Sequence, residues 1–147
     1  MSPTQSIKAF HELSLNELYA ILKLRAEVFV VEQNCVYQDL DGKDQASYHV
    51  MLHLNDELVA YSRLVPAGLS YTEVAIGRVI TASSVRGTGL GRKLMEYSIE
   101  NCHQLWGNGP IRLSAQVYAK DFYASLGFVA EGEEYLEDGI PHIEMLK

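Results

Sequence analysis

Cysteine is nearly absent from this 147-residue chain: Cys35 and Cys102 stand alone, in no CxxC or Cys/His spacing. Two isolated thiols frame neither a disulfide scaffold nor a zinc site, and they read as buried free thiols of a reducing compartment. Basic residues are also scarce, with 12 Lys and Arg against 19 Asp and Glu, a net charge of -7. A surface of that sign repels nucleic acid and anionic lipid, so neither is an expected partner. Fully apolar runs are short, and MSPTQSIKAFHELS has no basic stretch leading into an apolar one; no membrane partner and a cytoplasmic location are expected. No repeat, low-complexity tract or linker breaks the chain, and 48% apolar with 10% aromatic content suffices for one core, so residues 1–147 read as a single domain.

The pattern along the chain orders the elements. SIKAF (6–10) predicts a first strand, and Ser14 with Glu17 fits a capping box before Leu15, Leu18, Leu22, Ala26 and Phe29, which predict a helix over roughly 15–30. EQNCVYQDLDGKDQAS (32–47), polar with four carboxylates, reads as a long functional loop. Strands are predicted at 47–54 and 58–65 as a hairpin, then at 73–81. Met95, Ile99, Cys102 and Trp106 form a helical stripe ended by Gly107 and Pro110. A strand at IRLSAQV, a short helix at 119–126, the segment LGFVAEGEEY and a last strand IPHIEML follow. The order β-α-β-β-β-α-β-α-β-β predicts an α/β fold on a mixed central sheet flanked by helices.

VRGTGLGRKLMEYS (85–98) places Gly87, Gly89 and Gly91 at alternate positions, with Arg86, Arg92 and Lys93 around them. The Walker pattern fails because the sixth position from Gly87 is Arg92, and the dinucleotide pattern fails at Arg92 or Leu94. A strand, a three-glycine turn and a helix N-terminus remain: unpaired N–H groups, a positive dipole end and no Cβ to keep a pyrophosphate away.

Arg86-Gly87-Thr88-Gly89-Leu90-Gly91 resembles the R/Q-x-x-G-x-G/A acyl-CoA loop of the GNAT superfamily of N-acetyltransferases, and Asp121–Phe128 resembles its second signature, a short helix ending in Tyr-x-x-x-Gly-Phe. LKLRAEVFVVEQNCVYQDLDG and EDGIPHIEM resemble the small bacterial ElaA-like branch. The resemblance implies a single-domain GNAT-like fold, acetyl-CoA as acyl-donor cosubstrate without a metal, and direct transfer to a primary amine of a small-molecule or peptide acceptor. It implies backbone contacts to the donor from Val79, Ile80 and Thr81, donor binding by Arg86 through Arg92, and an acid role for Tyr123, which also lies against the donor. Gln116 stands where many relatives have a pantetheine-binding Asn, seven positions before that Tyr.

The general base is open among several residues. Glu73 lies 13 positions before Arg86, the spacing at which some superfamily members place a base. His49 and His142 titrate in a useful range. Arg25, Glu32, Asp39, Asp41 and His49 are candidates for binding the acceptor, and the acidity of the 32–44 loop leans toward a cationic amine. DLDGKD resembles an EF-hand start, but its Gly is fourth rather than sixth and the twelfth residue is Val50. RAEVFVVEQ resembles the N-terminal helix of acyl-homoserine-lactone synthases, whose chains are longer; transfer of that type is a minor alternative. A non-catalytic acyl-CoA-binding sensor or interaction module is the alternative of a different class, and a homodimer would be unsurprising.

Overall fold

The alternating pattern of the predicted hairpin is realised in β2 (Tyr48–Leu54) and β3 (Glu57–Val65). Asn55 and Asp56 join them with φ of 51° and 65°, the left-handed pair a two-residue turn needs and short polar side chains tolerate. The computed structural model describes residues 2–147. The remaining strands are β1 (Thr4–Ala9), β4 (Val74–Thr81), β5 (Ile111–Gln116), β6 (Val129–Glu137) and β7 (Ile140–Leu146). Among the described residues they form one seven-stranded sheet, ordered β1-β2-β3-β4-β5-β7-β6, in which β4 and β5 pair in parallel.

Three α-helices cover this sheet: α1 (Leu15–Arg25), α2 (Leu90–Trp106) and α3 (Lys120–Ala124). The fold is the α/β architecture expected from the sequence. α2 buries Leu90, Leu94, Met95 and Cys102 with Val50, Leu64, Ile76 and Met145 in the larger core cluster. α1 buries Ile21 and Leu24 with Met51, Tyr61 and Ile80 in a second cluster. Each cluster stabilises by removing apolar side chains from water, about 1.5–3 kcal/mol for each large one. Cys35 and Cys102 are both buried and unpaired.

The first helix is shorter than its periodicity predicts. After Arg25 the chain widens into a π-helical segment, Ala26–Glu32, closed by five-residue bonds from Gln33 N to Val28 O and from Cys35 N to Val30 O. Its AEVFVVE sequence crowds β-branched and aromatic side chains, which raises the cost of the tighter turn. The widened segment packs Val28 against Ile80 of β4.

A bulge shapes β4. Tyr61 pairs with Ile80 but Arg63 with Gly77, so β4 holds one extra residue opposite Ser62. Arg78 takes it up with φ of 49°, a conformation uncommon for a non-glycine residue. On its other edge, β4 meets β5 only at Val74–Ile111 and Ala75–Arg112. β5 then follows β7 through Gln116, and the two parallel strands splay apart.

Candidate active site

The splay opens a cavity of about 800 Å³, lined from β4 by Gly77–Thr81, from β5 by Ser114 and Gln116, and farther on by Arg86, Tyr123 and His142. Because β4 has no neighbour on this edge past Ala75, its backbone polar groups there are open to an extended ligand. Val79, Ile80 and Thr81 lie on that edge.

Arg86, on the cavity wall, leads into the glycine segment. Gly87 and Gly89 have φ of 78° and 85°, so the turn itself requires glycine. A Cβ at either would meet nothing within 4 Å. Among the described residues, no backbone carbonyl accepts from the N–H groups of residues 87–92; the first intrahelical bond runs from Lys93 N to Gly89 O. Free donors and the positive end of the α2 dipole meet at this turn. Arg86 reaches from it to Glu32 and to Thr81 O, 3.1 Å, and hydrogen bonding from Arg86 lowers the Glu32 pKa. Leu90 is buried in the core, the Thr88 hydroxyl donates to Val85 O, and Arg92 donates to Ser125 Oγ at 3.0 Å, which docks α2 on the end of α3.

Tyr123, on α3, packs edge-on against Phe122 and Phe128. Tyr123 borders the cavity, and its hydroxyl has no hydrogen-bond partner among the described residues. Burial, then the neighbouring Tyr118, pushes its pKa up, keeping the phenol protonated at neutral pH. Gln116 and Gln33 exchange two amide hydrogen bonds of 3.3 Å across the opening. Opposite Gln116 in the β5–β7 register stands His142, whose Nδ1 lies 2.7 Å from Ile140 O.

Several expected site residues are already committed to other partners, although Glu32 and Asp41 also line the cavity. Glu73 does not border the cavity; at the start of β4, where β5 is still paired, the Arg112 guanidinium takes both its oxygens at 2.9 Å. That bonding holds its pKa down. His49 is buried with both nitrogens occupied, 2.6 Å from Tyr61 Oη and 2.9 Å from Asp44 O, and burial lowers its pKa. Glu32 lines the cavity and is paired there with Arg86.

Arg25, Asp39 and Asp41 belong to a closed ring of charges that the sequence did not suggest. Arg25 bonds Asp39 at 2.7 Å and Asp44 at 2.8 Å. Arg63 bonds Asp44 at 2.9 Å and Asp41 at 2.7 Å, and Arg78 closes the ring to Asp41 at 3.4 Å and Asp39 at 2.7 Å. Three cations match three anions, so the carboxylates that suggested a cationic acceptor are neutralised. Arg25 is wholly enclosed, its guanidinium 5.9 Å from the centre of the Tyr61 ring. Arg63 and Arg78 could have been noticed as charges inside the apolar strands LVAYSRLV and VAIGRVIT. Glu137, also missed, borders the cavity beside His142.

A family model described as an acetyltransferase (GNAT) domain matches residues 11–147. Protein ElaA of Escherichia coli strain K12 is 47% identical over 138 residues, 92% of this chain and 90% of that protein. The crystal structure of an acyl-CoA N-acyltransferase from Pseudomonas aeruginosa superposes with a TM-score of 0.95 at 45% identity, covering 99% of both chains. A CoA-dependent acyl-homoserine lactone synthase, BjaI, superposes at 0.79 with 16% identity, covering 98% of this chain and 82% of that one; that likeness extends to the fold alone.

Proposed function

This chain belongs to the GNAT acetyltransferase family, and from that premise we propose that it transfers an acetyl group from acetyl-CoA directly to a primary amine. One observation carries the reading: the unpaired edge of β4, Arg86, Tyr123 and His142 border a single cavity. The residues present fit the donor. The N–H groups of residues 87–92, Arg86 and the bare α-carbons of Gly87 and Gly89 would hold its pyrophosphate, and the β4 edge at Val79–Thr81 its extended arm. Gln116 would reach that arm once its bonds to Gln33 open. When bound, the donor supplies an activated thioester.

This chain's own groups then handle protons and position. Tyr123, kept neutral by burial, gives its hydroxyl proton to the departing sulfur. His142 takes a proton from the attacking amine; with Glu73 held by Arg112 and His49 enclosed, it is the base candidate that borders the cavity. Cationic acceptors are favoured by Glu137 and Asp138, cavity carboxylates outside the charge ring.

The test is CoA release from acetyl-CoA, followed with a thiol reagent over amino acids, polyamines, aminoglycosides and lysine peptides. Saturable acetyl-CoA binding without turnover on any amine would instead mark a sensor. Tyr123→Phe keeps the ring and removes the hydroxyl. In the acid role it lowers kcat by roughly 10²-fold with acetyl-CoA affinity little changed. A kcat within twofold of wild type, where chemistry limits the rate, would leave Tyr123 a packing residue.

A further inference from the structure

We propose that the acceptor is an amino carboxylate, a small molecule with a primary amine at one end and a carboxylate at the other, and that Lys43 binds the carboxylate. The inference deepens the acetyl-transfer reading above and rests on it. Its ground is the set of charges on the cavity wall. Arg86 is paired there with Glu32, and Arg63 and Arg78 are paired with Asp41 in the charge ring. Among the described residues, that leaves Lys43 as a lining cation without a carboxylate partner. It also leaves Glu137 and Asp138 as lining carboxylates without a Lys or Arg.

The charge ring holds this lysine in place. Asp41 accepts from Lys43 N at 3.1 Å, and Ser47 Oγ donates to Lys43 O at 2.7 Å. With its main chain fixed in this way, the half-buried side chain reaches the turn before β4, where Nζ donates to Ser70 Oγ at 3.1 Å. An ammonium carries three N–H groups, and the hydroxyl takes one of them. A half-buried ammonium without a counter-charge is poorly compensated, and a carboxylate bound there supplies charge-assisted hydrogen bonds.

Position along β4 separates this end from the donor. The strand lines the cavity from Ala75 to Thr81, about 20 Å at the rise of an extended chain. The donor's arm takes Val79–Thr81, next to Arg86, and Ser70 with Lys43 lies beyond the opposite end of the strand. Tyr71 joins that end to the other charges: it borders the cavity, and burial, then Tyr135, Glu144 and Glu137, push its pKa up to about 12. Arg112, 6.0 Å from the centre of the Tyr71 ring, is committed to Glu73, Glu131 and Glu144 and does not compete for a carboxylate.

An acceptor lying along Ala75–Gly77 then has its carboxylate at Lys43 and its amine toward the thioester, with Glu137 and Asp138 attracting the amine while it is still charged. Polyamines and aminoglycosides fit this arrangement badly, because a second ammonium would stand against Lys43.

The experiment measures kcat/KM for matched acceptors: each common amino acid, its carboxamide and its decarboxylated amine. Wild type is expected to favour the best free amino acid over both counterparts by about tenfold or more. Lys43→Met removes most of that preference through a higher KM, Lys43→Gln does the same although it keeps a donor for Ser70, and Lys43→Arg retains it. An acetyl-CoA dissociation constant within twofold of wild type shows that each variant is folded. A wild type that favours polyamines or carboxamides would overturn the proposal. So would an unmoved preference in folded Lys43→Met and Lys43→Gln, which makes Lys43 only a tie to Ser70. Saturation-transfer NMR of the same amino acids with the CoA-loaded protein needs no turnover. An enzyme inert toward every amine would refute acetyl transfer, and the NMR would still decide the site: amino-acid signals seen with wild type and lost in Lys43→Gln uphold it, and their absence with wild type overturns it.

Discussion

Arg25 sits on α1 in a sequence position that repeats with Leu18, Leu22 and Phe29, and it is fully enclosed where Leu18 and Leu22 are half-buried. A guanidinium is tolerated there because Asp39 and Asp44 take its N–H groups and Tyr61 offers a ring face. Arg25→Met fills the volume but leaves two carboxylates short of a partner. Removing one member of a buried ion pair costs about 3–5 kcal/mol, and the lower end is expected because Arg63 and Arg78 still hold Asp44 and Asp39. Urea unfolding of Arg25→Met should show that loss, with acetyl-CoA affinity within twofold of wild type. Unchanged stability with lost ligand binding would return Arg25 to the ligand site.

At the scale of elements, the splay between β4 and β5 and the turn into α2 matter most. The β4 bulge adds one residue between Gly77 and Ile80, and it turns Arg78 toward Asp39 and Asp41, so the irregular strand also anchors the 33–47 loop. The glycine turn is tested by Gly89→Val. Left-handed backbone is strained for a residue with a Cβ, by about 1–2 kcal/mol, and the branched side chain stands where an anion would approach the N–H groups. The expected result is a folded protein, modestly less stable in urea, whose acetyl-CoA dissociation constant by calorimetry rises more than tenfold. An unchanged constant in the folded variant would remove the pyrophosphate from this loop.

Across the whole molecule, the net charge of -7 conceals a balanced interior. Burial alone would raise the pKa values of Asp41 and Asp44, but hydrogen bonds and charge from Arg63, and for Asp44 also from Arg25, bring both below the usual carboxylate range. A carboxylate whose pKa is lowered on folding stabilises at pH above its unfolded value, near 3.9, and that stability is lost as pH falls through the folded value. The melting temperature should therefore be highest near neutral pH, decline modestly below about pH 6.5 as buried His49, whose pKa is lowered, resists protonation, and drop steeply below about pH 4. Asp44→Asn should melt lower at pH 7 and show a shallower acid decline. An acid decline as steep as wild type would mean that the ring does not govern acid unfolding.

What the sequence by itself determined is local: hairpin alternation, the Ser14–Glu17 cap, the α2 stripe and the glycine turn all depend on residues within a few positions of one another. Those features carry the element order, and with the Tyr123 segment they carry the family. The roles of charges were decided only by tertiary structure. Nothing local distinguishes Asp39 and Asp41, which close a ring with Arg25, Arg63 and Arg78, from Glu137, which lies outside that ring, 3.4 Å from His142 Nε2. Glu73 has the spacing of a base, yet Arg112, 39 positions away, occupies it. A carboxylate's function follows from its partner, and these partners meet only when distant strands pack together.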